Sequence, residues 1–75
     1  MYTVWVTLAD SDYRVLLARG ATYNGSMMQM MTVGRLLADV RGPYDCRVMV
    51  DSIDRLTIAD NRGLVAQVWR EKETV

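Results

Sequence analysis

The sequence predicts an α+β fold in two layers, with a single helix packed on a mainly antiparallel sheet in the order ββαβββ. Three observations carry this prediction. Five short stretches alternate apolar and polar residues, the period of a half-buried strand. One window has helical spacing between a start and a stop signal. Clusters of Asp, Ser, Asn and Gly separate the stretches and supply turn chemistry. One helix on one face of a sheet is the simplest way to bury both apolar surfaces.

Residues 2–9 place Tyr2, Val4, Val6 and Leu8 on one side and Thr3, Trp5 and Thr7 on the other. Asp10-Ser11-Asp12 is a turn cluster. Residues 13–19 return, with Tyr13, Val15 and Leu17 on one face and Arg14, Leu16 and Ala18 on the other. Ser26 with Gln29 has capping-box spacing, and Gly42-Pro43 is a stop, which predicts a helix from Met27 to Arg41. Met30, Val33, Leu36, Leu37 and Val40 form its expected core face. Gly34 costs about 1 kcal/mol relative to Ala in mid-helix and so marks close packing on the sheet.

Residues 45–51 alternate, with Cys46, Val48 and Val50 inward and Arg47 and Met49 outward. A turn at Asp51–Asp54 leads to a strand over 55–59 with Leu56 and Ile58 inward. Asp60-Asn61-Arg62-Gly63 predicts a hairpin whose three-residue loop ends on Gly63 at positive φ, followed by a bulge. That register sets Asp60 opposite Leu64, points Leu64, Ala66 and Val68 inward, and points Val65, Gln67 and Trp69 outward. Residues 71–75 are a polar tail, so the chain forms one domain over 1–75. Local hairpins permit several strand orders.

Composition excludes several function classes. The 75 residues carry nine basic and nine acidic side chains, no His and a single Cys. A zero net charge argues against both an acidic DNA mimic and a polybasic nucleic-acid arm. Without His, triads of the Ser-His-Asp or Cys-His kind are excluded, and a zinc cluster lacks ligands. Cys46 falls on the buried side of a strand and belongs to the core. Asp10-x-Asp12 and Asp51 with Asp54 sit in turns, where Asp is expected for backbone reasons. No cofactor, metal or enzymatic activity is expected. No apolar run approaches the roughly 18 residues of a membrane span, and the expected location is the cytoplasm. Small cores are marginal, which favours association with another chain.

The face that one helix leaves uncovered would hold Thr3, Trp5, Thr7, Arg14, Leu16, Arg47, Met49, Arg55, Thr57, Val65, Gln67 and Trp69. A solvated sheet face should be polar, yet this one is half apolar and carries Trp and Arg, the residues enriched at binding hot spots. A one-residue register slip would swap the two faces and is the competing explanation. A second candidate patch is Met27, Met28 and Met31, flexible side chains suited to adaptable contacts; these could equally be gap-fillers beneath the 21–25 loop.

In size, lack of catalytic residue types and compact α+β order, the chain resembles small phage-borne or mobile-element inhibitors, including anti-CRISPR proteins, which bind a host complex and block its site. The resemblance is one of type and rests on no motif. It implies a non-enzymatic module binding a larger protein or complex through Trp5, Arg14, Leu16, Arg47, Met49, Arg55 and Trp69, or through Met27, Met28 and Met31. The alternatives are an obligate homodimer using the same face, and RNA or single-stranded nucleic-acid binding by the Trp/Arg face, which zero net charge and the absence of Phe disfavour.

Overall fold

The computed structural model describes residues 1–9, 11, 13–42 and 46–74, with Arg41 described by its backbone alone. One helix packs on a five-stranded antiparallel sheet. The elements are β1 (Tyr2–Leu8), β2 (Arg14–Ala21), α1 (Tyr23–Arg41), β3 (Arg47–Ser52), β4 (Arg55–Asp60) and β5 (Gly63–Lys72). Across the sheet the order is β2-β1-β5-β4-β3. The β1–β2 hairpin and the β3-β4-β5 meander join through β1 and β5, which pair without interruption from Tyr2↔Lys72 to Leu8↔Ala66. Helix α1 leaves one edge strand and delivers the chain to the other. The Asp10-Ser11-Asp12 cluster falls largely outside the described residues, as do the Pro43 stop and Asp45.

Strands about 4.8 Å apart set the two edge strands roughly 19 Å from each other. A helix with its side chains is only about 10–12 Å across. The core therefore sits under the helix, over the middle of the sheet: Val4, Val6, Met30, Ala38, Leu56, Ile58, Ala66 and Val68. The edges overhang it. Val15 pairs with Val6 and Val50 pairs with Leu56, so both point to the helix side as the alternation predicts. Both are nonetheless exposed, Val50 at 71%.

The helix begins four residues before its predicted start. Thr22 is the N-cap, its side chain accepting from the Gly25 amide at 2.9 Å. Ser26 lies inside the first turns, fully buried, and its hydroxyl donates to the Tyr23 carbonyl. Gly42 closes the helix as expected, its amide donating to the Ala38 carbonyl at 2.9 Å.

The buried helix face differs from the predicted one. Met30, Gly34 and Ala38 are buried and Val33 and Leu37 partly so, but Leu36 and Val40 are 59% and 79% exposed. Steric closeness selects this face. A Cβ on Gly34 would lie 3.2 Å from Leu56 Cδ1 and 3.7 Å from Val48 Cγ1. The ridge Ser26-Met30-Gly34-Ala38, spaced by four, brings the helix down on the sheet. Leu36 and Val40 each lie two residues, about 200° of helical turn, beyond a member of that ridge.

Bulges account for the strand residues that change sides. Val4 pairs with Ala18 and Trp5 with Leu16, leaving Leu17 as an extra residue. An extra residue shifts the phase of the residues after it, so Ala18 packs on the core rather than on the open face. In β5, Ile58 pairs with Ala66 and Ala59 with Leu64, leaving Val65 extra. Val65 packs against the core and Leu64 is 49% exposed, the reverse of the predicted pattern. Asp60 pairs with Gly63 rather than Leu64, so the loop has two residues; Gly63 has the expected positive φ, 121°. β5 also runs on to Lys72, and Glu73 bonds through its amide to the Met1 carbonyl, so these residues belong to the sheet rather than to a tail.

Arg70 ties the layers together. Its side chain is fully buried. Nε donates to Asp54 Oδ1 at 3.0 Å, and Nη1 donates to the Tyr23 carbonyl at 2.7 Å and to Ser26 Oγ at 2.9 Å. The guanidinium lies 4.8 Å from the Tyr2 ring centroid and 4.1 Å from that of Tyr23. Burial alone would lower its pKa; the Tyr23 side chain and the hydrogen-bonded Asp54 carboxylate outweigh burial and hold it above the ordinary arginine value.

Replacing Arg70 by Lys keeps the charge but cannot meet all three acceptors at once. We expect a loss of about 2 kcal/mol or more, read from the urea midpoint. Gly34→Val drives methyl groups into Leu56 and Val48, and a loss of about 2–3 kcal/mol is expected by the same measurement; an unchanged midpoint would show that the helix can lift without cost.

Candidate functional site

The sheet face opposite α1 carries the first predicted patch. Trp5 and Trp69 are direct cross-strand partners at its centre. On one side Trp5 pairs with Leu16, and on the other Trp69 pairs with Arg55. The next row runs Arg14, Thr7, Gln67, Thr57, Met49. Strand alternation alone sets these residues on one side, because directly opposed residues in antiparallel strands share a face. Arg47 and Met49 lie at the β3 edge of the same face, both exposed.

Arg14 is positioned by its pairing with Thr7 to lie over both indoles, 5.6 Å from the Trp5 ring centroid and 5.4 Å from that of Trp69. Glu71 Oε1 accepts from Arg14 Nη1 at 3.4 Å and from Trp69 Nε1 at 3.2 Å. Cation–π contacts of this kind are worth about 0.5–1 kcal/mol at exposed sites, and the half-exposed ion pair adds little. The indoles are half-buried as a result. Trp5 Nε1 is buried with no hydrogen-bond partner.

Beside the aromatic pair is a polar chain. Gln67 Nε2 donates to Thr57 Oγ1 at 3.4 Å, Thr57 Oγ1 donates to Asp51 Oδ2, and Arg55 Nε lies 3.4 Å from that same oxygen. An open depression of about 330 Å³ adjoins it, lined by Ser52, Asp54, Arg55, Gln67, Trp69 and Arg70. The cations over the centre of the face are thus matched by its own carboxylates.

The second predicted patch lies on the other layer. Met28 and Met31 are exposed and Met27 is half-buried. No 21–25 loop covers them, because residues from Tyr23 onward are the first turn of α1. Met31, Arg35, Val48, Val50 and Leu56 line a groove of about 410 Å³ between the helix and β3. The two patches face opposite ways and cannot share one flat interface.

Two features of the face escape a reading of the sequence. Glu71 falls in the expected tail, although its i, i+2 spacing from Trp69 is a strand signal. Thr57 is expected on the face, but its link to Asp51 depends on a bulge at Asp51, between the pairs Val50↔Leu56 and Ser52↔Arg55.

The fold and this face define an α+β module with an aromatic, arginine-bearing sheet surface that no second layer covers among the described residues. Comparisons with protein-family models, with curated proteins and with solved structures find no match to this chain. No described helix is long and apolar enough to cross a membrane.

Trp5→Phe keeps a ring beneath Arg14 and deletes the orphaned N–H, whose burial costs about 1–3 kcal/mol. The variant should match or exceed the parent in urea stability; a loss beyond about 1 kcal/mol would mean that the indole nitrogen has a partner in solution.

Proposed function

We propose that this protein is a non-enzymatic binding module that docks its Trp5/Trp69 face on a larger protein and acts by occupying a site there, in the manner of the small inhibitors it resembles in type. One observation carries the reading. Two Trp residues are directly paired at the centre of a sheet face that no layer covers among the described residues, with Leu16, Arg14 and Arg55 around them. Large, conformationally restricted aromatics at the centre of a patch with Arg at its rim are the usual make-up of a hot spot. The indoles are already ordered by strand pairing and by Arg14, so little side-chain entropy remains to be lost on docking.

The ion pairs favour a protein partner over nucleic acid. Arg14 pairs with Glu71 and Arg55 with Asp51, so neither is an uncompensated cation for a phosphate backbone. The net charge of zero points the same way.

The test is affinity capture from host lysate with the parent chain, Trp5→Ala and Trp69→Ala, with circular dichroism as the folding control. Each variant should weaken the captured complex by about 2 kcal/mol, roughly thirtyfold in Kd. Equal capture by folded variants would refute the sheet-face assignment, and affinity falling steeply with salt would transfer it to nucleic acid.

A further inference from the structure

We infer that β3 is a self-complementary edge through which two copies of this chain pair antiparallel, joining their sheets into one of ten strands. The inference does not rest on the Trp-face reading. Among the described residues β3 has a strand neighbour on one side only, β4. Its sequence from Arg47 to Asp51 is Arg-Val-Met-Val-Asp. In antiparallel pairing about a two-fold axis at Met49, each Arg47 falls opposite the second copy's Asp51. Each Val48 falls opposite a Val50, and the two Met49 residues meet on the axis. Every directly opposed pair is either apolar or oppositely charged, the arrangement that stabilises cross-strand pairs.

The side chains are already disposed for it. Asp51 accepts from Thr57 Oγ1 and lies 3.4 Å from Arg55 Nε, which places its carboxylate on the face shared by Thr57 and Met49, where a second cation can still reach its other oxygen. Arg47 is on that face too, and it has no ion-pair partner among the described residues. On the helix side Val50 is 71% exposed beside the groove of about 410 Å³ that it lines with Met31, Arg35, Val48 and Leu56. Pairing would cover Val50 with the second copy's Val48.

The other edge does not qualify. β2 has irregular register at two points, between Tyr2/Val4 and between Val4/Trp5 of its partner strand. The extra residue Leu17 falls at the middle of β2 and breaks its phase there, so no regular self-pairing runs the length of the strand. β3 pairs regularly from Arg47 to Val50, and its one bulge falls at Asp51, the last residue of the proposed pairing. The axis is perpendicular to the sheet, so both helices would lie on one side and both Trp faces on the other.

Sedimentation velocity across a dilution series tests this, with circular dichroism on every variant. The parent should move from 8.5 kDa towards twice that mass as concentration rises. Met49→Lys puts two ammonium groups on the axis and should leave a folded monomer. Arg47→Asp should weaken the dimer about tenfold or more, because both cross-axis pairs become repulsive. Adding Asp51→Arg to Arg47→Asp restores opposite charges in this register alone and should recover dimer. Trp5→Ala should leave the dimer intact. A parent that stays monomeric at high micromolar concentration overturns the proposal. So does a dimer indifferent to Met49→Lys, or one lost with Trp5→Ala.

Discussion

One helix cannot cover five strands, and most of what distinguishes this molecule comes from that mismatch of widths. About 10–12 Å of helix lies over about 19 Å of sheet. Only the central strands β1, β5 and β4 supply fully buried apolar side chains. The outer strands present valines that alternation points inward and geometry leaves wet. A second layer on the far face would have buried Trp5 and Trp69 and removed that candidate surface. The small core and the surplus of apolar surface therefore have a single cause.

Within that narrow contact, close approach substitutes for area. Gly34 and Ala38 let the backbone of α1 descend until the space beside Gly34 is filled by Leu56. At the helix start the packing is polar instead. Arg70 sits beside the first turn, where the helix dipole opposes a cation. It persists there because the Tyr23 carbonyl, Ser26 Oγ, Asp54 and two tyrosine faces surround it. Breaking one partner of such a buried charge costs far more than the set contributes over an apolar replacement. Its value is geometric, since the contacts fix the helix start to β5, to β1 through Tyr2, and to the β3–β4 turn through Asp54.

The elements and their order are legible in the sequence because each rests on a local pattern: alternation for the strands, Gly42 for the helix end, Gly63 for the last hairpin. The composition of the open face is legible for the same reason, and Trp5, Arg14, Leu16, Arg55 and Trp69 are brought together as alternation implies. What alternation cannot carry is a change of phase. Bulges at Leu17 and Val65 move Ala18, Leu64 and Val65 to the sides opposite those predicted. Apolarity alone also misplaces the helix face, since Leu36 and Val40 are more apolar than Gly34 and Ala38 but too large for the close approach. Ser26 and Thr22 are both competent caps by chemistry. The choice between them depends on Arg70, which is remote in sequence and requires the Ser26 hydroxyl inside the core.

The pairing of β1 with β5 also bears on how the molecule comes apart. The two indoles belong to opposite ends of the chain and meet only where the β1–β2 hairpin is sealed against the β3-β4-β5 meander. That seam is the least local contact in the sheet, with the largest loop-closure entropy opposing it. Neither the hairpin nor the meander by itself contains the Trp pair. The Trp face is thus a property of the closed sheet alone. A partner that grips both rings would hold the seam shut, and its affinity would appear directly as resistance to opening of the whole domain.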